Sequence, residues 1–154
     1  MLTARQRLLA SVLEAFGDAD LRRFDDRLLL QKRIYLLRAA GVDLGHSYSW
    51  YLRGPYSPPL TRDAFALDGE RRATGQVQPI ALPKVIRDIV VDLRQALGAY
   101  WTDPQQLELL ASVVFLSKTG NTDVQGRLKE LKPKYTLREI SKAIDFARAR
   151  GWVS

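Results

Sequence analysis

The chain has one histidine, His46, and no cysteine among its 154 residues. Nucleophilic catalysis by a hydroxyl needs a base beside it, and imidazole is the usual one. His46 follows Gly45 in a stretch that reads as loop, where a lone histidine is expected to be exposed and idle. Neither the Gly-x-Ser-x-Gly elbow nor a Gly-rich Walker sequence is present. A metal would have to rely on oxygen donors alone, and no EF-hand spacing offers them. The carboxylate pairs Asp25/Asp26 and Asp63/Asp68 fall near expected helix ends, where capping and the helix dipole account for them. The chain therefore reads as a non-enzyme without metal or cofactor. A nucleic-acid-processing enzyme would need the base and ligand set that is missing.

The ten residues Tyr48-Ser49-Trp50-Tyr51-Leu52-Arg53-Gly54-Pro55-Tyr56-Ser57 are denser in recognition chemistry. Aromatic side chains and arginine dominate interface hot spots because each combines a large apolar body with a polar tip. Two readings coexist here: the aromatics fasten a short strand to the core, or one face of that strand meets a partner. Arg53 beside Tyr51 and Tyr56 is also a fit for phosphate. A second group, Arg127, Lys129, Lys132, Lys134, Arg138 and Lys142, clusters near the C-terminal end. With Arg27, Arg33 and Arg38 it forms the candidate set for a nucleic-acid face, since cationic side chains supply phosphate contacts.

The elements that must position these groups follow from caps and periodicity. Thr3-x-x-Gln6 is a capping box ahead of Leu8, Leu9, Val12, Leu13 and Phe16, with Gly17 as the stop. Residues 18–24 read as loop. Asp25 or Asp26 caps a second helix with the stripe Leu30, Ile34 and Leu37, ended by Gly41, and its other faces carry Arg27, Lys32, Arg33 and Arg38. Period-two aromatics then predict a short strand or hairpin near residues 47–53, with Tyr48, Trp50 and Leu52 facing one way and Gly54-Pro55 ending the strand. Ser57-Pro58 opens a helix through Leu67, and residues 69–83 read as loop with a short extended piece at 77–80. Pro83, Asp103-Pro104, Asp123 and the capping box Thr136-x-x-Glu139 mark four more helix starts. The turn Lys132-Pro133-Lys134-Tyr135 joins the last two in a helix-turn-helix-like shape.

The fold expected is mainly α with a small β element, a compact helical domain for which a winged-helix-like arrangement is one available form. Residues 1–154 read as a single domain, with sublobes at 1–69 and 83–154 as an internal division. Hydrophobic residues at 46% and charged residues at 27% suit a buried core. No signal-peptide pattern or bilayer-length apolar run occurs, so a cytoplasmic address without membrane contact is expected. The net charge of +7 sits toward the two ends: residues 1–56 hold 9 Lys/Arg against 6 Asp/Glu, and residues 105–154 hold 9 against 5.

The order Leu30-Gln31-Lys32-x-Ile34-Tyr35-Leu36-Leu37, then Tyr48-Ser49-Trp50-Tyr51-Leu52-x-Gly54-Pro55-Tyr56-Ser57 with Leu60 and Asp63, resembles the signature of the uncharacterised YwgA-like bacterial and archaeal family. It is more distantly similar to the Panacea (SocA-like) antitoxin domain. A weaker echo runs through Leu107-Glu108-Leu109-Leu110-Ala111-Ser112 and Leu131-Lys132-Pro133-Lys134-Tyr135. Gly-Pro-Tyr-Ser stands where Panacea domains usually have Gly-Pro-Val, and Arg33 replaces a usually apolar residue. The resemblance implies a helical, non-enzymatic protein-binding regulator, an antitoxin or defence-system accessory whose partner is a toxin or operon neighbour. It carries over Lys32, Tyr35, Trp50, Arg53, Gly54 and Pro55 as partner-binding candidates, which Tyr51 and Tyr56 join from the aromatic reading. DNA or RNA binding is the alternative function.

Overall fold

The expected caps at Thr3, Ser57, Asp103, Asp123 and Thr136 are made, whereas Asp25 and Asp26, expected to cap the second helix, lie inside its first turn. In the computed structural model, which describes residues 1–17, 21, 23–78 and 80–154, Thr3 accepts from the Gln6 amide while the Gln6 side chain accepts from Thr3 N–H. This box opens α1 (Ala4–Phe16), and left-handed Gly17 closes it. Helix α2 (Phe24–Ala39) begins at Arg23, whose backbone N–H and guanidinium both donate to Asp26. Strands β1 (Ser49–Tyr51) and β2 (Gly54–Tyr56) form an antiparallel hairpin. Ser57 then caps α3 (Pro58–Thr74). Helix α4 (Lys84–Leu97) runs into a 3-10 turn (Gly98–Thr102), and Asp103, Asp123 and Thr136 cap α5 (Pro104–Lys118), α6 (Val124–Leu131) and α7 (Leu137–Ala149).

The described residues thus give a mainly helical protein with one small two-stranded sheet. Two helices form its centre. Helix α5 is apolar around most of its circumference, with Leu107, Leu109, Leu110, Val113, Val114 and Leu116 all buried, as a helix surrounded by others must be. Helix α2 packs against it, burying Leu30, Ile34, Leu36 and Leu37. Around this pair α1 packs on α3 and α4, and α6 and α7 pack on α5. One hydrophobic cluster runs from Leu9 to Trp152 and takes residues from both halves of the chain. No helix among the described residues is long and apolar enough to cross a membrane.

Several expectations are corrected. Helix α3 continues through Gly69 to Thr74 and stops at left-handed Gly75, so the loop expected from residue 69 begins later. The loop expected at 18–24 and the extended piece at 77–80 fall partly outside the described residues, and Phe24 already belongs to α2. Gly54-Pro55 starts the return strand rather than ending the sheet. Lys32 and Arg33, expected on outer faces of α2, are buried. Arg33 reaches the Trp101 carbonyl, with its Nε at 3.1 Å and its guanidinium 4.1 Å from the Trp101 ring centre. A side chain from the central helix thereby fixes the 3-10 turn.

Candidate functional site: the pinned hairpin and its groove

The hairpin pairs Ser49 with Tyr56, Trp50 with Pro55 and Tyr51 with Gly54, leaving Leu52-Arg53 as the turn. Gly54 has φ +86, the left-handed position that follows a tight turn in three-residue hairpin loops and that glycine adopts without steric cost. Pro55 is tolerated because this is an edge strand that needs no further N–H donor. The inward face carries Tyr48, whose ring centre lies 4.9 Å from that of Tyr35, and Trp50, at 5.8 Å from Phe115. The outward face carries Tyr51 and Tyr56, edge to face at 5.1 Å. Leu52, expected on the inward face with Tyr48 and Trp50, instead occupies the turn and is 91% exposed.

Two buried lysines hold this hairpin by its carbonyl oxygens. Lys32 Nζ donates to the Pro55 oxygen at 2.6 Å, and Lys132 Nζ donates to the Leu52 oxygen at 3.0 Å. Lys132 also pairs with Glu108 Oε2 at 3.1 Å, which accepts from the Tyr135 hydroxyl at 3.2 Å and faces Lys134 Nζ at 3.4 Å. Glu108 is 2% exposed and Lys32 fully buried, and groups so buried persist only when each is paired or hydrogen-bonded. Gln31 completes the frame: its amide donates to the Ser57 carbonyl and accepts from the Ser57 N–H, both at 2.9 Å. Lys32, Tyr35, Gly54 and Pro55, expected to touch a partner directly, are therefore buried beneath the corner and position it. Trp50 and Tyr56 are half-buried, while Tyr51 and Arg53 face solvent.

Burial pulls the Lys32 ammonium down from 10.5 to about 7; Glu108 opposes this, and Lys132 and Arg53 add to it. Between those two values the unfolded chain keeps a proton that the folded chain has released. Stability then rises with pH, by up to about 1.4 kcal/mol per unit, and this contribution is flat below about 7. Above pH 10 the sign reverses. Burial pushes the hydroxyls of Tyr35 (to about 12), Tyr48 and Tyr135 upward, so the unfolded chain ionises first. Urea midpoints of the wild type are expected to climb from about pH 7 toward pH 10, and Lys32→Met to lose that climb. Parallel profiles for the two proteins would show that Lys32 keeps its proton when folded.

A second buried cluster ties α1 to α3. Asp63 accepts from Arg5 Nε at 2.8 Å and Gln6 Nε2 at 3.2 Å, and pairs with His46 Nε2 at 2.7 Å. Burial alone would raise the Asp63 carboxyl, but the hydrogen bonds from His46, Arg5 and Gln6 outweigh it and hold the group below its ordinary value. His46 is accordingly not the exposed loop residue expected: its side chain is 1% exposed and its Nδ1 is enclosed without a partner among the described residues. Asp63 is likewise not a helix-end carboxylate but the hub of this cluster.

The candidate nucleic-acid residues do not converge on one face. Arg33 and Lys132 turn inward, and Lys134 faces Glu108. Lys129 donates to the Pro133 and Tyr135 carbonyls, closing the turn between α6 and α7. Arg127 pairs with Glu130 and Arg38 with Asp43, and Arg27 donates to the Leu21 carbonyl. Arg138 and Lys142 lie exposed on α7. Helix α2, which carries Arg27, Arg33 and Arg38, is a central core helix and is not free to enter a DNA groove. Comparison of the chain with protein-family models, curated proteins and solved structures returns no match.

What the hairpin does present is a groove of about 320 Å³ between its tip and the start of α2. Phe24, Leu28, Tyr51, Leu52 and Tyr56 supply its apolar surface, Arg27 and Arg53 its charge, and Gln31 and Thr61 its polar floor. The floor is already satisfied internally, since Gln31 and the Tyr56 hydroxyl both bond Thr61 Oγ1. Phe24, Leu28, Gln31, Leu52 and Thr61 are not among the site residues expected from the sequence. The available signal is Leu52 itself, an apolar residue two positions before a turn glycine.

Proposed function

We propose that this chain is a non-enzymatic protein-binding regulator that docks its partner on the hairpin tip and the adjoining groove. The observation that carries this is Leu52, 91% exposed on a turn whose own carbonyl is held from beneath by buried Lys132. Exposing a large apolar side chain at a rigidly held position is unfavourable in the free protein, and it gains when a partner covers it. Because the tip is already ordered, docking loses little conformational entropy. The flanking tyrosines and Arg53 are the residue types that concentrate binding energy. The biological form that the YwgA-like and Panacea resemblance gives this role is an antitoxin or defence accessory acting in the cytoplasm on a toxin or operon neighbour.

Co-expression with the product of the adjacent gene is the direct test. A stable complex should co-purify, and Leu52→Asp should weaken it by about 30-fold or more, the effect of losing a hot-spot anchor. Leu52→Asp should leave the circular dichroism spectrum and melting temperature unchanged, because the side chain it replaces is in solvent. A complex indifferent to Leu52→Asp would place the partner elsewhere on the molecule.

A further inference from the structure

From the chemistry of the groove we infer the kind of partner it takes: an acidic, apolar-anchored segment of another protein. This rests on the docking role proposed above and adds the partner's charge. The residues lining the groove include two arginines and no carboxylate. Among the described residues no ion pair claims Arg53, whose guanidinium lies 5.5 Å from the centre of the Phe24 ring. A guanidinium stacked on an aromatic face keeps its edge open to a carboxylate, which it can grip with two parallel hydrogen bonds.

The two carboxylates in the first turn of α2 lie off the groove face. Phe24, Arg27, Leu28 and Gln31 recur at helical spacing and share one face of α2. Asp25 and Asp26 project about 100° and 200° around the helix from Phe24, and Asp26 is already paired with Arg23. The apolar wall continues past the groove, where Arg27 covers the ring of Phe65, itself 52% exposed. Partner residues entering here meet apolar surface first and positive charge at the edges.

A second copy of this chain is a poor occupant. A two-fold contact on this face would bring Arg53 and Arg27 of one copy toward those of the other, and such like-charge juxtaposition opposes association. The net charge of +7 acts in the same direction at long range. An acidic segment reverses both effects.

The test is selection of a random-peptide library displayed on phage against the full chain, subtracted against Leu52→Asp. Enriched peptides should combine apolar residues with Asp or Glu, lose affinity as salt rises, and bind Arg53→Glu at least about tenfold more weakly. Peptides that depend on Leu52 but carry no acidic excess, or bind Arg53→Glu equally, would overturn the acidic partner while leaving the docking surface standing. Enrichment of no Leu52-dependent peptide would overturn the docking surface as well. Duplex DNA binding, or self-association on sedimentation, that is abolished by Leu52→Asp would assign the face to that occupant instead.

Discussion

Glu108→Gln is expected to cost about 3–5 kcal/mol of unfolding free energy, the usual effect of removing one partner from a buried ion pair. The carboxylate is the only anion in the described contacts of Lys132, which is 7% exposed, and it also accepts from Tyr135 and faces Lys134. Glutamine keeps the shape and one acceptor but removes the charge, so the Lys132 ammonium stays in a low-dielectric interior without compensation. Lys32 loses the one neighbour that favours its protonated form. Urea denaturation followed by far-ultraviolet circular dichroism measures the loss as a lower midpoint at an unchanged slope. The pair Glu108→Leu with Lys132→Met should lose less than Glu108→Gln alone, because it removes both charges together. A single variant within about 1 kcal/mol of the wild type would mean that water reaches Lys132.

Gly54→Ala should be the next most damaging change, at about 2–5 kcal/mol. Two independent costs combine. At φ +86 any side chain is strained, and an added Cβ would sit 2.7 Å from Ser112 Oγ. Ser112 cannot easily yield, since it is fully buried and its hydroxyl donates to the Glu108 carbonyl at 2.6 Å. A chain of 154 residues translates this loss into a fall in Tm of about 5–15 °C, readable by scanning calorimetry. Combining Gly54→Ala with Ser112→Gly should recover the steric part and leave the backbone part. An unchanged Tm for Gly54→Ala would contradict the close approach of the hairpin to α5.

Caps read well because they are local: Thr3 with Gln6, Ser57 with Pro58, and Thr136 with Glu139 are fixed within one helical turn. The second half of α3 read poorly, because after Leu67 the helix leaves the core and no apolar periodicity remains to mark it. An i,i+4 pair between Asp68 and Arg72 supports it there. The site itself was half legible. Aromatic density pointed to residues 48–57, but nothing local distinguishes Lys32 and Lys132 from the lysines that stay in solvent. Their partners, Pro55, Leu52 and Glu108, lie 23, 80 and 24 residues away in sequence. The burial of His46 is hidden from the sequence for the same reason, its partner Asp63 belonging to another element.

The lysine that holds the Leu52 carbonyl is synthesised 80 residues after it. On a ribosome adding about 5–20 residues per second, that interval is about 4–16 s. A nascent chain can therefore form α1, α2 and the local turn of the hairpin well before anything holds its tip in place. Whatever meets the emerging chain encounters a loose corner first and a rigid one only once α5 and the segment after α6 have left the tunnel. The order of synthesis thus postpones a rigid hairpin tip, the surface proposed for docking, until α5 and Lys132 are available to support it.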